Sequence, residues 1–440
     1  MKPVPLYEWR CMSDRRRMHI WFILIAILSP AVTAQWFSTA DLPYARWCTA
    51  CCAHNGYVYT IGGEEMGAGH NNVWYSEILG DGSLAHPWLS TSSLPGGRMY
   101  HGCFVYNNYV FVLGGWGSGS YRTDVWSAEI QPEGSIGSWT STTDLPSPRS
   151  GFNMTVCNGY VYVIGGYNGS SDLTEVVFAQ INDDGTIGTW ETTTSMPAVR
   201  RACRCFSYDD YLYITGGHSS SLTYYNNVWF AQSQPDGTIG SWTPTTPLPA
   251  VSALHGCCVE DGNVYITGGQ CLTSYYNTAS TAGIQASGPL DPWTSFPNLP
   301  EVRSGHGYCS YDGYLYIIGG TNWSGNLKSV RYAHISSVGI SSGEYQISSG
   351  TQAIKISPNP FHGSTQINYS LSEPAHVAIQ IFDCSGRMVW NLTDGEMNVG
   401  EHSVFWHCRD DNGNDVSPGV YYYSVSIDSS VFTGRMVNLK

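Results

Sequence analysis

The stretch Asn158-Gly159-Tyr160-Val161-Tyr162-Val163-Ile164-Gly165-Gly166 carries a turn pair, then β-branched and aromatic residues, then a glycine doublet. Asn-Gly tolerates positive φ and suits a tight hairpin turn. The residues after it have the side chains of a pleated, mostly buried strand. The doublet ends that strand where a Cβ would collide with packed neighbours. Outward from here, the doublet recurs at Gly62-Gly63, Gly114-Gly115, Gly216-Gly217, Gly268-Gly269 and Gly319-Gly320, giving spacings of 52, 51, 51, 52 and 51 residues. A unit of about 50 residues cannot bury its own apolar face, so the copies must pack against one another.

Other residues keep step with the glycines. Trp36, Trp88, Trp139, Trp190, Trp242 and Trp293 stand 26 residues before each doublet. A Leu-Pro or Met-Pro follows each of them, and after each proline come Arg46, Arg98, Arg149, Arg200, Ser252 and Arg303 in turn. With an Arg-x-x-His opening the first strand, a Tyr-x-x-x-Gly-Gly and a distal Trp, the repeat resembles the kelch family. That resemblance implies an all-β fold: a six-bladed kelch-type β-propeller followed by a small Ig-like β-sandwich. The chain starts with a fourth-strand motif at residues 35–43 and the last repeat stops after its third strand. The N-terminal strand is therefore expected to close the sixth blade and remove an open sheet edge. Blade five lacks the Val-Trp and Asp-Gly signatures and is the place where irregular structure is expected.

The segment organisation follows. Residues 1–34 read as a signal peptide: Arg15-Arg16-Arg17, an apolar stretch over 20–28, and small residues up to Ala34, with cleavage expected between Ala34 and Gln35. The apolar stretch is shorter than the ~20 residues a membrane span needs. Residues 35–336 form the propeller, 337–351 a Ser/Gly-rich linker, and 352–440 an Ig-like unit with strands expected over 365–371, 376–382, 400–408 and 419–427. Pro358-Asn359-Pro360-Phe361, Ser385-Gly386-Arg387 and Ser417-Pro418-Gly419-Val420-Tyr421 make this unit resemble both the type A sorting domain of type IX secretion and the FlgD Ig-like domain. Either resemblance implies a bacterial, exported protein, secreted or at the cell surface, engaged by secretion machinery through its C-terminal unit. A net charge of −14 opposes nucleic-acid and anionic-membrane binding.

Function has to come from loops, since a propeller is a scaffold. The loops after the second strands, 64–72, 116–124, 167–174, 218–226, 270–277 and 321–328, share one face with the arginine series. Their aromatics Trp116, Tyr121, Tyr167, Tyr224, Tyr225, Tyr275 and Trp323 are candidate sugar-stacking residues. Arg46, Arg98, Arg149, Arg200 and Arg303 are candidate ligand donors, or else braces on backbone carbonyls. His101, His255, His306 and the cysteines of the first strands read as buried core residues, with no metal and no cofactor. Cys384 and Cys408 are the most attractive disulfide pair. No nucleophile elbow, metalloprotease helix or phosphate loop occurs. The reading is a non-catalytic protein that recognises a glycan or protein ligand. The alternatives are a secreted carbohydrate-active or sialic-acid-mutarotase-like enzyme, and a structural surface component.

Overall fold

The computed structural model describes residues 35–335 and most of 355–439. Residues 1–34, 336–354, 358–360, 372, 384–386, 411–412, 415, 418, 428–429 and 440 lie outside the described residues. The signal peptide, Ala34, the 337–351 linker and Cys384 fall in those stretches; Gln35 is described and exposed.

Six four-stranded antiparallel sheets follow one another along residues 37–334. Their innermost strands are Ala50–His54, Gly102–Tyr106, Asn153–Cys157, Arg204–Tyr208, Gly256–Glu260 and Gly307–Tyr311. The second strands, such as Tyr160–Ile164, are almost wholly buried, because each packs against the blades on both sides. Blade six takes its outer strand from the N-terminus: Phe37–Ser38 pairs antiparallel with Val330–His334, Phe37 opposite Tyr332 and Ser38 opposite Arg331. The clasp is the one the repeat order predicts.

Contacts between blades repeat as regularly as the sequence does. Each strand-four tryptophan donates its indole N–H to a carbonyl in the preceding blade, Trp88 to Ala40 and Trp139 to Ser92 among them, at 2.7–3.2 Å across the six. Trp36 closes the circle by donating to the Pro297 carbonyl of blade five. Tyr59, Tyr162, Tyr213 and Tyr316 reach the other way, each hydroxyl donating to a turn carbonyl of the next blade. The glycine doublets lie where blades meet. A Cβ on Gly268 would stand 2.5 Å from the Arg303 carbonyl and 3.1 Å from the His306 ring, both in the next blade. One on Gly269 would stand 2.9 Å from the His255 Cβ in its own blade. Both also have positive φ, so the doublet is required twice over.

Blade five departs from its expectation. It has four regular strands, including Ala279–Gly283 and Thr294–Phe296, and its third-to-fourth connection turns at Gly288, φ 104°. Gly288 supplies the positive φ that the glycine of an Asp-Gly or Glu-Gly pair supplies in other blades, and Phe296, 2 % exposed, fills the core beside Trp36. The signature was lost while its physical requirements were kept.

The C-terminal unit is a two-sheet sandwich. One sheet holds Lys355–Ser357, Thr365–Leu371 and Gly400–Trp406. The other holds Phe361–His362, Ala375–Asp383, Met388–Met397, Gly419–Ile427 and Ser430–Leu439. Alternating residues of 365–371 and of 375–381 enter its core with Val425, and Trp406 packs edge-on against Tyr421. The Tyr421 hydroxyl donates to the Ser417 carbonyl at 2.6 Å, the kind of corner bond Ig-like sandwiches use. Cys408 is buried in this core; its proposed partner Cys384 is outside the described residues.

Candidate functional site

The residue two positions before each inner strand decides what the long-loop face looks like. Cys48, Tyr100, Gly151, Ala202, Leu254 and Gly305 all sit in the left-handed region, φ 49–58°. Each donates its N–H to the carbonyl of its counterpart in the preceding blade: Tyr100 to Cys48, Gly151 to Tyr100, Ala202 to Gly151, Leu254 to Ala202, Gly305 to Leu254 and Cys48 to Gly305, at 2.7–3.4 Å. These six peptides make a closed hydrogen-bonded ring across the propeller axis. Cys48, Ala202, Ala253 and Leu254 pack beside it as an apolar plug, with Trp47, Met99, Tyr100 and Tyr224 resting on it.

Around that plug stands a collar of one bridged pair per blade: Trp47 with Glu64, Met99 with Trp116, Ser150 with Tyr167, Arg201 with His218, Ala253 with Gln270, and Ser304 with Thr321. The collar is where the long-loop side chains converge. Arg201 lies over the Tyr167 ring, 4.9 Å from its centroid, and its Nε stands 3.6 Å from the Asp172 carboxylate. Tyr121 meets Tyr167 edge-on at 5.5 Å, and His218 stacks on Tyr224 at 5.1 Å. Burial lowers the His218 pKa, against a bond to the Ser219 carbonyl, so the ring is neutral at pH 7. Glu64 is buried and accepts from the Gly67 N–H and, at 3.0 Å, from the Asn326 amide. Trp47 Nε1, Asp172 Oδ1 and Arg201 Nε are buried and have no hydrogen-bond partner among the described residues. Farther out, Trp323, 70 % exposed, meets Tyr275 edge-on at 4.7 Å.

The arginines are placed elsewhere. Arg46, Arg98, Arg149, Arg200 and Arg303 are 0–1 % exposed, which corrects their candidacy as ligand donors. Nη1 of Arg98, Arg200 and Arg303 donates to the first glycine carbonyl of the doublet in the same blade, at 2.7–3.1 Å. Arg46, Arg98, Arg149 and Arg303 also pair with Glu65, Asp124, Glu175 and Glu301. Arg200 is sandwiched instead against the half-buried Tyr225 and Trp229, at 4.7 and 4.2 Å. The backbone carbonyl at this register accepts the N–H of the second doublet glycine in the preceding blade at 2.7–3.0 Å, Ser252 included. Each arginine therefore ties its own loop to its own blade while its carbonyl ties two blades together.

Of the remaining candidates, Trp116, Tyr121, Tyr167 and Tyr224 reach the collar and Tyr275 with Trp323 form an outer pair. Trp47, Asp172 and Arg201 at the collar, and Tyr100 on the plug, were not predicted as site residues. Their signal was there: the position after each brace arginine reads Trp47, Met99, Ser150, Arg201, Ala253, Ser304, a variable column beside a fixed one. Among the described residues no group of three or more His, Cys, Asp or Glu is arranged to hold a metal ion. At the opposite end, a cleft of about 270 Å³ between blades two and three is lined by Tyr106, Asn158, Tyr160 and Asp183, the last already held by the Asn107 amide at 2.7 Å.

Six blades closed by an N-terminal strand, a buried arginine at the brace position of five of them and a plugged axis define a kelch-type β-propeller. Family models agree: the KLHDC2/KLHL20/DRC7 Kelch-repeats domain matches residues 31–217, the Kelch motif 303–332, and the FlgD Ig-like domain 355–430. The chain thus carries Kelch-repeat domains and an FlgD Ig-like domain. It is similar to human Kelch-like protein 15, 25 % identical over 51 % of this chain and 39 % of that one. It also resembles mouse Kelch-like protein 23, 24 % identical over 70 % of this chain and 50 % of that one. The chain thus spans half or less of the length of these relatives. The solved structure of YjhT shares the fold, with a TM-score of 0.55 at 14 % identity, covering 66 % of this chain and 95 % of that one.

Proposed function

We propose that the long-loop face is a recognition surface for a glycan, and that the protein works outside the cell or at its surface. The observation that carries this reading is the pairing of flat aromatic faces with unsatisfied polar atoms over a sealed floor. Trp47 Nε1 lacks a hydrogen-bond partner, and Asp172 Oδ1 and Arg201 Nε face each other as an ion pair at 3.6 Å, beyond hydrogen-bond length; a polar group left under-paired costs free energy that a ligand hydroxyl or carboxylate would offset. Tyr121, Tyr167 and Trp323 offer rings of the kind that stack on sugars. Exported location rests on residues 1–34, and engagement by secretion machinery on the C-terminal unit. Intact mass of secreted material tests both, by the N-terminus at Gln35 and by retention or loss of the sandwich.

The direct test is a glycan array probed with the full chain, Trp323→Ala and Arg201→Ala. Trp323 is largely exposed, so its truncation leaves stability unchanged while weakening binding about tenfold, the scale of one aromatic contact. Arg201→Ala is expected to weaken it further. Binding that survives both substitutions rejects the collar as the site. An empty array with capture of a defined surface protein would move the ligand class from glycan to protein.

A further inference from the structure

Arg204 opens the inner strand of blade four, at a register where the other blades carry Ala50, Gly102, Asn153, Gly256 and Gly307. It is the one charged side chain at this register, and it does not brace a doublet. Its Nε donates to the His255 carbonyl of blade five at 2.5 Å and its Nη1 to the Cys203 carbonyl at 3.4 Å. The guanidinium lies 5.1 Å from the centroid of the Tyr308 ring in blade six. The Tyr308 hydroxyl in turn meets the Asn153 side chain of blade three, on the far side of the ring. Blades four and six, or six and three, share no sheet interface, so their side chains can meet only on the axis. Arg204 is therefore in the lumen, beneath the hydrogen-bonded ring.

Its charge is uncompensated there. Four of the five buried braces have a carboxylate partner, whereas among the described residues no carboxylate lies within ion-pair distance of Arg204. Two of its donor groups reach carbonyls, and the side chain is only partly buried, so the rest of the fork faces the lumen. Of the thiols that feel its charge, Cys203 is drawn down, first by a bond with Cys205 and then by the Arg200 and Arg204 charges, while burial pushes Cys48 and Cys257 up. His255 and His306 are buried and neutral, and burial pushes the Tyr308 hydroxyl up to about 12 despite the nearby Arg204 charge. A guanidinium with free donors in a confined lumen and no carboxylate beside it is a charge-assisted partner for an anion.

We propose that the axial lumen holds a small monovalent anion, of the halide or nitrate class, on the Arg204 guanidinium. The long-loop end of the axis is sealed, so the anion enters from the end where the hairpin turns lie. It occupies a site separate from the glycan-recognition collar.

Bromide tests this directly, because it scatters anomalously and replaces chloride. Crystals of the full chain in bromide should show an anomalous peak within hydrogen-bonding distance of the Arg204 guanidinium. In solution, the thermal midpoint should rise and saturate with chloride, measured against gluconate at constant ionic strength. Arg204→Gln should lose the peak and weaken the chloride response about tenfold, as expected for removing a charge-assisted donor set. Arg204→Lys should keep the peak. If Arg204→Gln does not fold, wild-type protein alone still decides: water and no anomalous peak at Arg204, or superimposable chloride and gluconate curves, overturns the site. A peak undiminished in a folded Arg204→Gln also overturns it. Glycan binding is read independently, so either proposal can fail without the other.

Discussion

At the level of single residues, the register before each inner strand uses charge for architecture. Arg98 is fully buried, with Gly114 and Asp124 as partners, and Asp124 has its pKa lowered: burial acts to raise it, but bonds from Arg98 and Trp126 and the charges of Arg98 and Arg122 prevail. Arg98→Met removes the cation and leaves the carboxylate and a carbonyl under-paired, at a cost of about 3–5 kcal/mol. Arg200 has no carboxylate partner and lies between two aromatic rings, so Arg200→Met should cost clearly less. Urea midpoints compare the two; equal losses would show that the carboxylates are irrelevant. The histidines three residues on work by staying neutral. Burial, then the Arg98 charge, depresses His101 to about 3, and burial depresses His255 and His306 well below their ordinary value. Unfolded, all three titrate near 6.5. Below that pH the unfolded chain takes protons that the folded one refuses, so stability falls as pH drops from about 6.5 toward about 3. Blade three has Phe152 at the same register, which makes His101→Phe a natural substitution. It should reduce the slope of stability against pH by about 1.4 kcal/mol per unit between pH 6 and 4. Parallel curves for the two proteins would remove His101 from the acid response.

At the level of elements, the N-terminal strand is short yet holds more than its two ladder positions. Thr39 and Leu42 donate backbone N–H groups to Val330 and Lys328, Trp36 donates to Pro297, and Trp88 of blade one donates back to Ala40. Trp36 is 6 % exposed, so Trp36→Ala should cost about 3–5 kcal/mol by cavity formation and the lost tie. Deleting residues 35–43 should cost more and expose the 330–334 strand as a free edge prone to self-association. Thermal unfolding with light scattering reads both, and a deletion variant as stable as the parent would show that blade six does not need its clasp. This element was legible in the sequence because repeat order alone says which strand is missing and who supplies it. The doublets were legible for the same reason: a repeated contact imposes a repeated residue. For the brace arginines the sequence left a ligand role and a brace role both open, because periodicity reports that a position matters, not whether it points inward. Blade five was misread because Gly288 and Phe296 meet the turn and packing requirements with different residue types. The collar was legible only in part, through its loop aromatics, because its other residues occupy a column that differs between repeats.

At the level of the whole propeller, the six left-handed residues on the axis change what local opening means. In an ordinary loop, a backbone hydrogen bond breaks when the loop moves. Here every donor is also an acceptor's neighbour in the next blade, and the chain of bonds has no free end. Releasing one N–H from its carbonyl requires two blades to separate, and the tryptophan ties, the doublet bonds and the clasp all resist that separation together. The amides of Cys48, Tyr100, Gly151, Ala202, Leu254 and Gly305 should therefore exchange with solvent as slowly as those of the buried second strands, although none of the six belongs to a strand. The bond from Tyr100 to Cys48 is the longest, at 3.4 Å, and it should be the first of the six to exchange. Trp36→Ala should then accelerate all six together, including those three blades away, since the ring transmits the loss of the clasp. Residue-resolved hydrogen exchange makes the measurement. Fast exchange at any of the six in the intact protein, or acceleration confined to Cys48 and Gly305 in the variant, would mean that the blades loosen independently and the axis is not sealed as a unit.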